Sequence, residues 1–195
     1  MQNFTKLAGL AVFFALTSCS GDDAPAVAAN NCATDIDFFH TGNFLDYEIS
    51  QFGMAAGSMR MTFGECSGAG YITTREVYNA EGTLMSTSYD LLKQEGDFLL
   101  SDEGNDGDFF SKLYKKNAIV GDEWQVTRPD GSIIYHEVIA TDSIVTVPAG
   151  TFECIVYKYT RSDIVNDSYI FWNDQVGNIK EDAGFFVIEL QDHNN

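Results

Sequence analysis

The sequence predicts an all-β domain: a curved antiparallel sheet closing into a half-barrel or barrel of about nine to eleven strands, with at most one short helix. Three observations carry this. From Asn43 onward the chain runs in short stretches rich in β-branched and aromatic residues. Gly, Asn and Asp clusters separate those stretches, as hairpin connections do. Apolar residues at the i, i+3, i+4 spacing of a helix face are scarce.

Residues 44–52 open the series, with Phe44, Asp46, Tyr47, Glu48 and Ile49 read as an apolar and polar alternation, and 58–63 follow across the loop Gly53-Met54-Ala55-Ala56-Gly57. Residues 71–78 and 84–92 form a hairpin around Asn79-Ala80-Glu81-Gly82, and 97–100 add a third piece to that sheet. Residues 124–127 pair with 132–140 across Arg128-Pro129-Asp130-Gly131, where Pro presets φ and Gly accepts a positive φ. Stretches 143–147, 153–161, 167–172 and 184–190 complete the set. In 109–116 the side chains of Phe109, Phe110, Leu113 and Tyr114 would share one helical face, so this segment is the candidate helix.

The N-terminus has a different logic. A short basic region ending at Lys6 precedes the apolar stretch 7–16, then Thr17-Ser18-Cys19. That stretch is about half the ~20 apolar residues a spanning helix needs. Leu16-Thr17-Ser18-Cys19 has the lipobox pattern: an aliphatic residue, two small residues, then the cysteine that is lipidated before cleavage. Residues 1–18 are therefore read as a lipoprotein signal peptide and Cys19 as the acylated N-terminus of the mature chain. Acyl chains would hold the protein to the membrane, each buried methylene contributing about 0.8 kcal/mol. Residues 19–31 are small, polar and non-periodic, a flexible acidic tether, and 32–195 form a single β domain.

Formal net charge is −18, and removal of residues 1–18 takes away Lys6 and no acid, giving −19. Such a field repels nucleic acid and anionic headgroups, so no nucleic-acid partner is expected; the acidity itself reads as solubility. Besides Cys19 the mature chain keeps Cys32, Cys66 and Cys154, which allow at most one intramolecular disulfide in an oxidising compartment. Three pairings are open. Cys32–Cys66 is the favoured one, because Cys66 sits in the turn-like Gly64-Glu65-Cys66-Ser67-Gly68, where a staple to the N-terminal segment is useful. Cys154, within Phe152-Glu153-Cys154-Ile155-Val156-Tyr157, reads as a buried strand thiol.

No catalytic constellation emerges. His40, His136 and His193 lie in separate contexts without a partner at metal-ligand spacing; HExxH and CxxC are missing, and no metal or cofactor is expected. His136 reads as a surface or hydrogen-bonded strand residue and His193 as part of a disordered end. There is no GxSxG elbow, and Gly64 to Gly70 lack the lysine and helix of a phosphate loop. Asp102-Glu103-Gly104-Asn105-Asp106-Gly107-Asp108 offers clustered oxygen ligands, but it departs from a calcium loop at its third position, Gly104, and its twelfth, Leu113, so an acidic turn is the better reading. Aromatics are abundant, Phe38, Phe39, Phe44, Phe52 and Phe63 early, then Tyr157, Tyr159, Tyr169, Phe171, Trp172, Phe185 and Phe186. Most serve as core, and alternate ones on a curved sheet could instead line an apolar pocket.

The C-terminal half carries three runs in order: Gly121-Asp122-Glu123-Trp124, then Val147-Pro148-Ala149-Gly150-Thr151-Phe152, then Val176-Gly177-Asn178-Ile179-Lys180. These resemble the "GD-x-W", "VPAGTF" and "GVG-x-hydrophobic-K" runs of the TapB-like group of bacterial envelope proteins, whose β domain is distantly similar to the curved sheets of the LolA and LolB lipoprotein carriers. The resemblance covers roughly residues 118–190, and Gln175-Val176-Gly177-Asn178 departs from it where Gly-Val-Gly is expected. It implies a fold and an envelope location and transfers no catalytic residue; Trp124 and Phe152 would be core anchors. The expectation is a non-enzymatic, lipid-anchored domain that binds a hydrophobic ligand or an envelope protein, with a pocketless, surface-displayed structural or interaction lipoprotein as the alternative. Ser20-Gly21-Asp22-Asp23 resembles the acidic export signal of Bacteroidota lipoproteins, which implies outer-membrane attachment with the domain facing outward.

Overall fold

The computed structural model of the chain describes residues 32–103, 109–163 and 166–194. These residues hold twelve strands and no helix. The first half contains β1 (Phe44–Gln51), β2 (Met54–Cys66), β3 (Tyr71–Asn79), β4 (Leu84–Glu95), β5 (Phe98–Glu103) and β6 (Ser111–Lys115). The second contains β7 (Glu123–Thr127), β8 (Ile133–Val147), β9 (Gly150–Arg161), β10 (Ser168–Asn173), β11 (Gly177–Asp182) and β12 (Phe186–His193). All pair antiparallel in one sheet of order β6-β5-β4-β3-β2-β1-β12-β11-β10-β9-β8-β7. That is the cyclic order of an up-and-down barrel in which a single ladder, β6 to β7, is left out.

Side chains close the seam where the ladder is missing. Trp124 on β7 donates its indole N–H to the Lys112 carbonyl of β6 at 3.2 Å, and its ring meets Phe98 of β5 edge-on, centroids 5.4 Å apart. From β9, the Tyr157 hydroxyl donates to the Lys115 carbonyl at 3.2 Å. The result is a sheet nearly closed into a barrel.

Because every connection within each half is a hairpin, the two ends of the barrel are distinct. The turns 52–53, 80–83, 128–132 and 183–185 share one end. At the other end the N-terminal segment enters and plugs the barrel with Ile36, Phe38 and Phe39, each no more than 3% exposed. Phe38 packs edge-on against Trp172, Phe63 and Tyr114, and Tyr114 stacks on Trp172 with centroids 4.8 Å apart. Burying one such ring removes enough apolar surface to contribute about 1.5–3 kcal/mol, and the edge-on geometry adds about 0.5–1.5 kcal/mol per pair. Cys32 and Cys66 are joined by a disulfide that fixes this plug to the end of β2, their Cα atoms 5.7 Å apart.

The long β8–β9 hairpin also reaches the plugged end. Bulges between Val138 and Ser143 bend it past the end of β10, until the Ala149 N–H donates to the Leu190 carbonyl of β12 at 3.1 Å. Its tip is the two-residue turn Pro148-Ala149 between the paired Val147 and Gly150.

Four expectations differ from the structure. Residues 109–116 do not form a helix: Ser111–Lys115 is β6, with Ser111 and Tyr114 turned inward and pairing with β5 overriding the weak helical spacing. Stretches 132–140 and 143–147 are one bulged strand, and β11, whose Asn178, Lys180, Glu181 and Asp182 mask its strand character, was not expected at all. The end is not disordered as far as residue 194: His193 belongs to β12, its ring edge-on to Phe152 with centroids 6.0 Å apart.

Candidate functional site

Inside the barrel a cavity of about 290 Å³ runs from Phe38 in the plug to Arg128 in the β7–β8 turn at the opposite end. It exists because the inward positions of one wall are small or polar. Thr73 on β3, Ser101 on β5 and Ser111 on β6 point inward and are buried, yet they fill far less space than the aromatic rings facing them. The opposite wall is largely apolar, with Leu45, Ile134, Ile170, Trp172 and Ile188, and is interrupted by His136, Asn178 and Glu181. Solvent reaches the lumen, since the Arg75 side chain that lines it retains 36% of its surface.

Most charge within the cavity is already matched. The Arg75 guanidinium donates to the Asp90 carboxylate at 2.5 Å, with Asp90 almost fully buried. Arg128 is engaged as well. Glu181 is held above the usual carboxyl range by burial, which Arg75 only partly offsets. Several buried polar groups of the lumen are unmatched within the protein. His136, 4% exposed, lies flat against Trp124 with centroids 4.9 Å apart, and neither ring nitrogen has a hydrogen-bond partner in the protein. Desolvation lowers its pKa to about 4, so at neutral pH the ring is uncharged, with one donor and one acceptor. Arg75 Nε and the Asn178 side-chain carbonyl are likewise buried and unmatched. His136 is thus neither on the surface nor hydrogen-bonded within the protein, as its isolated strand position had suggested.

An apolar rim lies along one side of the end away from the plug, at the β1–β2, β3–β4 and β11–β12 turns. Phe52 is 72% exposed and holds a positive φ of 50°, which is rare for an aromatic residue. Its ring lies beside that of Phe185 across the β1–β2 and β11–β12 turns, while Met54 and Met85 are exposed on neighbouring strand ends.

Of the residues in the three motif runs only Asn178 lines the cavity; the others fall outside it, at the closures of the barrel. Gly121 turns the chain into β7 with a φ of 91°, and the Asp122 carboxylate accepts from Lys115 at 2.6 Å and from the Ile119 N–H at 3.0 Å. Those partners hold its pKa below the usual range. Trp124 spans the seam, and Val147, Pro148, Ala149, Gly150, Thr151 and Phe152 form the hairpin tip folded onto β12, braced by a 3.0 Å contact between the Thr146 and Thr151 hydroxyls. Val176 is buried, Gly177 takes a φ of 105° under the Phe38 ring, and Lys180 pairs with Glu189 at 2.9 Å. Cys154 is a buried free thiol whose pKa burial pushes up to about 12, so it is chemically quiet. Of the acidic run 102–108, residues 104–108 lie outside the described residues, as does Cys19. Among the described residues no three His, Cys, Asp or Glu side chains converge as metal ligands.

The sequence allowed an apolar pocket lined by alternate aromatics of a curved sheet, and Phe38, Phe63, Tyr159 and Trp172 of those aromatics line the lumen, but its polar groups were not foreseen. The one signal was Asp90, an acid directly preceding Leu91 and Leu92 on a strand, where an inward charge demands a partner.

The geometry defines a plugged, single-sheet β barrel with a solvent-reached lumen. Two solved structures are similar to the chain to different degrees. One, from Bacteroides fragilis NCTC 9343, is described as an exported protein with a YmcC-like fold; it superposes with a TM-score of 0.61 at 12% identity, over 82% of this chain and 100% of that one. The other, described as a lipoprotein from Parabacteroides distasonis ATCC 8503, gives a TM-score of 0.48 at 15% identity, over 83% and 100%. The first likeness establishes that this chain has the YmcC-like architecture. No family model and no curated protein matches the sequence.

Proposed function

We propose that this chain is a lipid-anchored, non-enzymatic envelope protein whose barrel lumen binds an apolar or amphipathic small molecule. The observation that carries the reading is the lumen itself: a solvent-reached cavity of about 290 Å³ with an apolar wall and a few convergent polar groups, at the small end of ligand-pocket sizes. The lipobox at Cys19 supports anchoring by acyl chains. The GD-x-W and VPAGTF runs support kinship with the TapB-like group, and Asp22 and Asp23 support an outward-facing place on the outer membrane. Cys32, through which the tether joins the domain, lies at the plugged end, so the other end and its apolar rim would face away from the anchoring membrane.

The test is mass spectrometry of the mature protein purified from its host. A reproducible non-covalent lipid should leave it on organic extraction, and a protein that is consistently ligand-free would remove the carrier reading. Protease shaving of intact cells should release 32–195; full protection until lysis would place the domain in the periplasm. The exposed rim of Phe52, Met54, Met85 and Phe185 favours a second reading, a surface interaction lipoprotein docking an envelope protein. Cross-linking from Phe185 with a reproducible single partner would favour it. Turnover of generic hydrolase substrates, lost on Asp90→Asn or Glu181→Gln, would overturn the non-enzymatic assignment.

A further inference from the structure

Resting on the binding reading above, we propose that the lumen takes an uncharged amphiphile with a hydroxyl-bearing head, of the monoacylglycerol class, its hydrocarbon chain along the apolar wall and its head hydrogen-bonded to His136. The selection comes from what the cavity leaves unmatched. A buried polar group without a partner costs about 1–3 kcal/mol, and His136 presents both ring nitrogens in that state while only 4% exposed. Arg75 Nε and the Asn178 carbonyl add a donor and an acceptor in the same lumen. A hydroxyl both donates and accepts, so one hydroxyl of a diol head can meet a ring nitrogen of the neutral imidazole in either tautomer, and the second can reach another unmatched group of the lumen.

An ionised head fits less well. The Arg75 guanidinium already pairs with the buried Asp90 at 2.5 Å, so a carboxylate or phosphate reaching its open Nε–H would sit beside the Asp90 carboxylate and compete with it for the same cation. The surrounding field is that of a chain with net charge −18, which repels anions further. A cationic head would have Glu181 to meet, but burial favours the protonated form of that carboxyl.

The chain supplies its own reporter. It has two tryptophans; Trp172 lines the cavity and Trp124 stacks on His136. The full-length chain carrying Cys19→Ser, so that no acyl chains of its own compete, is titrated with 1-monodecanoylglycerol and with decanoate, and tryptophan fluorescence is followed. A saturable change with the glyceride is expected, at least about ten-fold tighter than with the carboxylate of equal chain length. His136→Phe, which keeps a ring against Trp124, should weaken glyceride binding about ten-fold, the worth of one hydrogen bond, and leave decanoate unchanged. Decanoate binding as tightly as the glyceride, or glyceride affinity unmoved by His136→Phe, would overturn the head assignment while leaving the binding reading intact. No fluorescence change with either ligand would sink the binding reading itself. Should the variant not fold, the comparison of the two ligands on the His136 protein decides alone.

Discussion

His136 carries a pH dependence whose sign follows from its burial. An unfolded imidazole takes up a proton near 6.5, and the folded one near 4 because desolvation disfavours its charged form. Between those values the unfolded chain binds more protons, so this residue's contribution is present above pH 6.5 and is lost as pH falls through 4. Glu181, raised by burial, acts in the opposite sense, its contribution being lost as pH rises. Comparing the protein with His136→Phe isolates the histidine. Between pH 7 and 4.5 the parent should lose about 2–3 kcal/mol more than the variant in urea unfolding, at about 1.36 kcal/mol per pH unit; equal losses would mean that the ring is solvated in the folded state. The site was nearly illegible in the sequence for the same reason. Whether His136, Thr73 or Ser101 points inward depends on strand register, and the cavity arises from small inward side chains on one wall facing large ones on the other, a relation between strands far apart in the chain.

The fold was far more legible, because local hairpins write themselves into turn residues. The β7–β8 turn forms at Arg128-Pro129-Asp130-Gly131, with Gly131 at a φ of 84°, and the β3–β4 turn at Asn79-Ala80-Glu81-Gly82, with Gly82 at 78°. What escaped were elements decided by their neighbours: β6, whose strand form depends on β5, and the charged β11 between β10 and β12. The seam beside β6 makes that dependence measurable. Trp124→Ala removes a bond to Lys112 and a ring packed on Phe98, His136 and Tyr157. A loss of about 3–5 kcal/mol is expected, as for other large aromatic truncations. Trp124→Phe, which keeps most of the packing, should cost about 1–2 kcal/mol more than nothing but well under the alanine change. In hydrogen exchange the amides of β6 and β7 should lose protection first in both variants, and uniform loss across the sheet would show that the seam is not a separate weak point. The disulfide acts on a different element, the plug. Cys66→Ser frees a segment whose closure spans 34 residues, and the chain-entropy model puts the loss at about 3–4 kcal/mol; an unchanged urea midpoint would mean that Phe38 and Phe39 hold the plug alone.

At the scale of the whole molecule, closure and charge oppose each other. The sheet becomes a barrel only when β1 meets β12, pairing Leu45 with His193, and the Phe44 N–H reaches Asn194 at 2.6 Å, so the first and last strands must find each other across nearly the whole domain. Compaction also draws together a chain with 29 acids and 11 basic residues. Favourable pairs such as Arg60 with Asp46 and Lys158 with Asp167 are partly exposed, and pairs of that kind contribute at most about 1 kcal/mol each. The unpaired acids outnumber them, so net self-repulsion works against the folded state more than against the expanded chain. Salt therefore has a predictable sign. Raising ionic strength from about 0.01 M to about 0.15 M shortens the screening length from about 30 Å to about 8 Å. The first length spans much of a barrel this size and the second does not, so repulsion between opposite faces is removed while contacts within an ion pair are only weakened. The melting temperature should rise by several degrees over that range at pH 7, and the rise should shrink as pH approaches the sequence pI of about 4.2, where the net charge disappears. A melting temperature that falls with salt at pH 7 would show instead that the surface ion pairs outweigh the acidic excess.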